Sequence, residues 1–398
     1  MAVSGYPVIG LISTFLGITD DSISVPFRIF VVALAMVAFL QGKVRGGIRP
    51  VDGWLAFFFV IYMFRLLWDA FVMEVTGADS ALLAFSVTVL VPVIVLALTA
   101  NAWNDRNVAM CFVVVGTIVS AGGIWLSQSG IVDITYFEET GRLGFTKINP
   151  ISLGHVGVTT VLASIVLFVR SSSNSSKGFA LACAGISLAM IYFAASRGPV
   201  VAFIASIIAY ILFSGRWKYA IFAFVVIYVS ILVLSTINIY TLLEHLRLTS
   251  IITNRDTSAV ARLEVYDEAF EAFKQYPIFG RSFALPVSGG WVHNIFLESA
   301  MALGVIGLAT IIIVIIRSFV SSIRAFRSGN TMAAFLFLQF VVAAQFSGAL
   351  WGWPGLWIGV ALVNAGRRKR GRVRQVPRPV MRVAAHASGH IGRTNRSF

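Results

Sequence analysis

The chain has 398 residues, of which 58% are hydrophobic and only 12% charged, against ~25% charged in a soluble domain. With a mean hydropathy of +0.86, that balance excludes a water-soluble enzyme, a disordered protein and a disulfide scaffold. The net charge of +14 would suggest nucleic acid in a soluble protein, so the position of the charges has to be read before their sum.

A helix crosses a bilayer with ~20 apolar residues. The apolar runs predict spans over 6–19, 25–41, 51–72, 81–100, 108–127, 151–169, 178–195, 199–213, 219–239, 295–316, 331–347 and 350–366. The expected fold is therefore an all-α polytopic membrane protein of about twelve transmembrane helices. The first run is short and bounded by Asp20 and Asp21, and no Lys or Arg precedes it, which argues against a signal peptide with a basic leading region. Cys111 and Cys183 fall inside apolar runs, where a small buried hydrophobe is the expected role.

One set of short loops carries Lys43, Arg45, Arg49, Arg106, Arg170, Lys177, Arg216, Lys218, Arg317, Arg324 and Arg327. The opposite set carries only Arg142, Lys147 and Arg197, among several acids. By the positive-inside rule both termini are cytoplasmic. Residues 1–366 are expected to form the transmembrane domain, including an extracytoplasmic loop at 240–294 between spans nine and ten. Residues 367–398 are expected to be a basic, disordered cytoplasmic tail resting on anionic lipid, not a nucleic-acid site.

A charge within the bilayer costs a few kcal/mol and needs a reason. Arg28, near the outer end of the second span, either snorkels to the interface or serves a site. Arg65 and Asp69 share a helical face at i and i+4; they either neutralise one another or line an outward polar cavity. Ser196-Arg197-Gly198-Pro199 makes a tight outer turn, where a guanidinium beside a helix N-terminus suits an anion. His155, at the outer start of span six, is a weaker candidate.

The long loop contains an amphipathic helix over 259–273, with an apolar stripe of Leu263, Tyr266, Phe270 and Phe273 and a wet face of Glu264, Asp267, Glu268 and Glu271. Lys274 is answered by Glu271. Arg262 has no carboxylate at its helical neighbour positions, so its planar fork is expected to look outward for phosphate-like oxygens. After a turn-rich stretch containing Pro277, Gly280, Pro286 and Gly289-Gly290, Trp291-Val292-His293-Asn294 opens span ten. A histidine there suits proton transfer at neutral pH, with Glu298 deeper in the helix to orient or tune it. Gly304 and Gly307 lie on one face and are expected to allow close packing. Neither a metal-binding signature nor a nucleotide-binding fingerprint appears, so no cofactor is expected.

His293-Asn294 followed by Gly304-Val305-Ile306-Gly307 resembles the His-Asn…Gly-x-x-Gly signature of the O-antigen ligase and O-antigen polymerase family. The turn Ser196-Arg197-Gly198 is similar to the family's Ser-Arg-Gly. Arg262 with the later Pro277-x-x-Gly280 resembles its outer-loop arginine segment. The resemblance implies a metal-independent glycosyltransferase on the outer face of the bacterial inner membrane. Its donor would be a glycan on undecaprenyl diphosphate, and its acceptor a lipid-linked repeat unit or a sugar of lipid A-core.

Carried over, His293 would be the base or acceptor-positioning residue, and Arg197 and Arg262 would hold the diphosphate. Asn294, Arg65, Arg28 and Glu298 are expected to line the substrate site, although Arg28 and Arg65 match no family motif. The choice between ligase and polymerase leans only slightly to polymerase. The rival class is a transporter or flippase of lipid-linked glycan, which would place ionisable groups near the bilayer midplane and show repeated halves.

Overall fold

The computed structural model describes residues 5–18, 24–46, 51–99, 104–129, 142–145, 148–215 and 257–365. The expected ninth span (219–239), the middle of the loop 128–150, the first part of 240–294 and the tail 367–398 lie outside the described residues. The helices are α1 (Gly5–Phe15), α2 (Ser24–Gly46), α3 (Gly53–Phe71), α4 (Ala78–Thr99, with a π-helical turn at Phe85–Leu90), α5 (Asp105–Gln128) and α6 (Pro150–Arg170). They continue with α7 (Asn174–Ala194), α8 (Arg197–Ser214), α9 (Thr257–Gln275), α10 (Ile295–Ser328), α11 (Thr331–Ala343) and α12 (Pro354–Ala365). Among the described residues there is no strand, only an isolated bridge between Phe145 and Ile148.

Seven of these helices are long and apolar enough to cross a membrane, and Tyr6–Phe15, Pro26–Gln41, Thr331–Ala343 and Pro354–Ala365 are shorter apolar helices. The chain is a multi-pass membrane protein. The last two expected spans are trimmed: α11 stops at Ala343 and α12 begins at Pro354. Between them, Gly348, Gly352 and Pro354 break the helix, leaving a non-helical wall whose only regular piece is one 3₁₀ turn, Leu350–Gly352.

Helix α6 is the centre of the bundle, with 78% of its span buried. Asn149 caps it by accepting from the Ser152 amide at 2.7 Å, and Pro150 takes the first turn, where a missing N–H is harmless. Its glycines permit close approach. A Cβ on Gly154 would lie 2.7 Å from Pro199, and one on Gly157 would lie 2.9 Å from the Ser187 carbonyl.

The bundle has two chemically distinct ends. At one, Asp52 pairs with Arg317 at 3.0 Å and Asp105 with Arg170 at 2.9 Å. Asp105 also accepts the Thr331 and Met332 amides, fixing the start of α11. At the other end, α3 finishes against residues 279–283, α6 and α8 begin, and α10 starts at His293-Asn294. The basic loop residues Arg170 and Arg317 thus share one end of the bundle, and Arg197, His293 and Asn294 lie at the other.

Candidate active site

Asn294 starts α10 as its N-cap: its side-chain oxygen accepts from the Phe296 and Leu297 amides, each at 3.1 Å. The expected substrate-binding amide oxygen is therefore committed to holding the helix. Directly before it, His293 takes φ +58°, a left-handed conformation uncommon for a side chain of this size. That twist turns the imidazole onto the wall between α11 and α12, where Nδ1 lies 3.2 Å from the Gly348 carbonyl.

A carbonyl can only accept, so Nδ1 carries the proton and Nε2 carries the lone pair. Nε2 has no hydrogen-bond partner among the described residues. Burial pushes the His293 pKa below the ordinary value of 6.5, the Gly348 carbonyl works against that shift, and the Arg262 cation adds to it. The imidazole is neutral at pH 7, with a basic nitrogen available.

Arg262 comes within electrostatic range of His293 because α9 is seated on the start of α10. Ala269, Ala272, Leu285, Val292 and Met301 form a buried cluster with Val265, Tyr266 and Leu297 against it. Tyr266, one turn after Arg262 on the same face, points its hydroxyl at the Gln345 carbonyl, three residues before Gly348. The expected stripe needs correction. Ala269 and Ala272 are the buried positions, and Leu263 and Phe270 are exposed. The wet face is also corrected at Glu268, which accepts the Val287 and Ser288 amides at 2.7 and 3.2 Å and ties the following loop to the helix. Lys274 pairs with Glu271 at 2.7 Å. Arg262 makes no ion pair with a carboxylate among the described residues.

Glu298 is 1% exposed and does not touch His293. Its Oε1 accepts the Leu350 amide at 2.9 Å, and Leu350 in turn accepts from the Trp357 indole. Glu298 thus holds the wall two residues beyond the carbonyl that orients the histidine.

Gly348, the histidine's partner, was not among the expected residues. Its φ of +84° and a collision between any Cβ and the Trp353 ring make it a glycine by necessity. The glycine- and proline-rich run 348–355 was the only available signal for this wall.

The Pro277-x-x-Gly280 and Gly304-x-x-Gly307 motifs meet. Gly304, at φ +66° and ψ −157°, breaks α10 into a short first segment and a long second one. The Val305 amide donates to the Pro277 carbonyl and the Arg281 amide to the Met301 carbonyl, both at 2.8 Å. Added side-chain carbons at Gly280 or Gly304 would run into the opposing backbone. The expected helix-to-helix packing through Gly304 and Gly307 is corrected to a loop crossing a broken helix.

Arg65 and Asp69 do pair, at 3.3 Å, and both also grip that loop. Arg65 donates to the carbonyls of Phe279, Gly280 and Arg281 at 2.8–3.2 Å, and Asp69 accepts the Phe283 amide at 2.8 Å. Arg197 is half-buried at the first position of α8, after Ser196 as a cap whose side chain makes no cap bond. Its turn packs through Pro199 onto Gly154, next to His155. His155 lies buried against Phe340 and Trp353, and the Trp353 ring also abuts Gly348. Arg28 is half-buried in α2, with no hydrogen-bond or ion-pair partner among the described residues.

Fold and site together define a multi-pass helical membrane protein with a histidine–arginine centre at one end of the bundle. Residues 179–312 match the family described as O-Antigen ligase, and this stretch contains Arg197, Arg262, His293, Gly304 and Gly307. That stretch is thus similar to the O-antigen ligase family, a likeness that supports a membrane glycan ligase or polymerase. A search of curated proteins found no match.

Proposed function

We propose that the protein transfers glycan from undecaprenyl diphosphate to an acceptor sugar hydroxyl at the outer face of the bacterial inner membrane, with both termini cytoplasmic. The single observation that carries this reading is His293: neutral, protonated at Nδ1 by its bond to Gly348, and beside the Arg262 cation. In the proposed step, the acceptor oxygen forms a bond to the anomeric carbon of the donor while the bond from that carbon to the diphosphate breaks. Nε2 of His293 takes the hydroxyl proton, a contribution typically of ~10²–10⁴-fold. Undecaprenyl diphosphate leaves with its charge balanced by Arg262 and by Arg197 at the head of α8. Arginines suit this role because the guanidinium fork matches phosphate oxygens and keeps its charge.

His293, Arg262 and Arg197 stand at one end of the bundle, which favours transfer at one face over carriage of a glycan across the membrane. The acceptor, whether a lipid-linked repeat unit or lipid A-core, is separated by deleting the gene and resolving lipopolysaccharide on a gel. Core bearing one repeat indicates a polymerase, and bare core indicates a ligase. With purified protein, lipid-linked donor and acceptor, His293→Ala is expected to lower kcat by ~10²–10⁴-fold while membrane insertion is unchanged. Undiminished transfer by that variant would remove the proposal.

A further inference from the structure

Ile278 and Phe279 are apolar, non-helical and 56% and 70% exposed, an unfavourable placement for a loop in water. The loop is fastened at Arg65, six residues before the end of α3, which is about 9 Å along the helix at ~1.5 Å per residue. Beyond Arg65, α3 still presents exposed Trp68 and Phe71, and exposed Val72 and Met73 follow its end. The loop therefore crosses α3 below the level at which the apolar surface of the helix ends, and Ile278 and Phe279 continue that surface sideways.

Much of its backbone finds internal partners, although the Ile278 and Phe279 amides find none among the described residues. Irregular backbone inside a bilayer must find internal partners, because no water serves it. Here the Phe279, Gly280 and Arg281 carbonyls all accept from the Arg65 guanidinium. The Phe283 amide donates to Asp69, the Arg281 amide to Met301, the Gly280 amide to Tyr276, and the Pro277 carbonyl accepts from Val305. In water, solvent would serve these carbonyls without a guanidinium. The Arg281 side chain turns back to Gln275 at 2.9 Å and to the Tyr276 ring.

We propose that the tip of this loop dips into the bilayer surface, with Ile278 and Phe279 at the boundary of headgroups and acyl chains in the leaflet at the His293 end. Arg65 and Asp69 are the groups that make this immersion possible. The inference stands on the membrane character of the chain and not on the reaction, so it fails or holds independently of the transferase reading.

The test uses the full chain in phospholipid nanodiscs. Exposed Cys111 and buried Cys183 are replaced (Cys111→Ser, Cys183→Ala), and single nitroxides are placed through Ile278→Cys, Phe279→Cys or Val287→Cys. Val287 is 89% exposed and tied to Glu268 on α9, so it serves as the water-side reference. Labels at 278 and 279 are expected to relax with oxygen and to be protected from a water-soluble nickel chelate, and the label at 287 to show the reverse. Adding Arg65→Met is expected to move label 279 toward the chelate. Chelate access at 278 and 279 equal to that at 287, or no access by either relaxant, would overturn the proposal. The parent comparison decides even if the Arg65 variant does not fold.

Discussion

His293 stands at φ +58° two residues before α10 begins, and a side chain held in that region costs ~1–3 kcal/mol unless its surroundings fix it. Three neighbours do so: Asn294 caps the helix, Gly348 receives Nδ1, and Glu298 pins Leu350 behind Gly348. Glu298→Ala leaves the Leu350 amide bare, a loss of ~1–3 kcal/mol for a buried donor, and lets the wall drift. We expect kcat to fall while KM changes little, with Glu298→Gln restoring most of the activity because its amide oxygen still accepts. Equal loss in both variants, measured in the transfer assay, would count against a positioning role. Asn294→Ala is expected to cost ~1 kcal/mol of stability, with Asn294→Ser recovering it in thermal unfolding. Asn294 was expected to line the substrate site, though its place before an apolar run made the cap role legible. Gly348 was not legible, because a carbonyl 55 residues away leaves no local trace.

Among the elements, the broken helix α10 and the loop crossing it form one device. Gly304 needs both its left-handed φ and its missing side chain, because the Pro277–Ile278 backbone occupies the space. Gly304→Ala is expected to lower stability by more than ~1 kcal/mol and to disturb His293 through the short first segment of α10. A melting temperature like that of the parent would contradict this. From sequence, Gly304 and Gly307 read as a small-residue face for close packing, and nothing there marked the break. Only contact with the 277–280 loop reveals it, and that is tertiary information. The packing face of α9 was misread for a related reason: Ala269 and Ala272 let the helices approach, so small residues marked the contact better than large ones.

For the whole molecule, apolar length and loop charge made the helical membrane class and its two ends legible. What they could not convey was which charges serve structure. Asp105, at the start of α5, ties that helix and the end of α6 to the start of α11. Asp105→Ala is expected to unpair two amides and Arg170, lowering thermal stability in detergent without changing the pH dependence of transfer. Arg65 looked like a site residue, but it bonds to carbonyls more than 200 positions away.

The most direct measurement is the pH profile of single-turnover transfer, taken for the parent and for Arg262→Gln. A neutral His293 must accept the proton, so activity is expected to be lost as pH falls through a value below the ordinary histidine 6.5. Removing the Arg262 cation relieves its repulsion of the imidazolium, raises that pKa and moves the acid limb to higher pH, whatever the loss in rate. An acid limb that stays in place in Arg262→Gln, or one that persists unchanged in His293→Ala, would contradict the account.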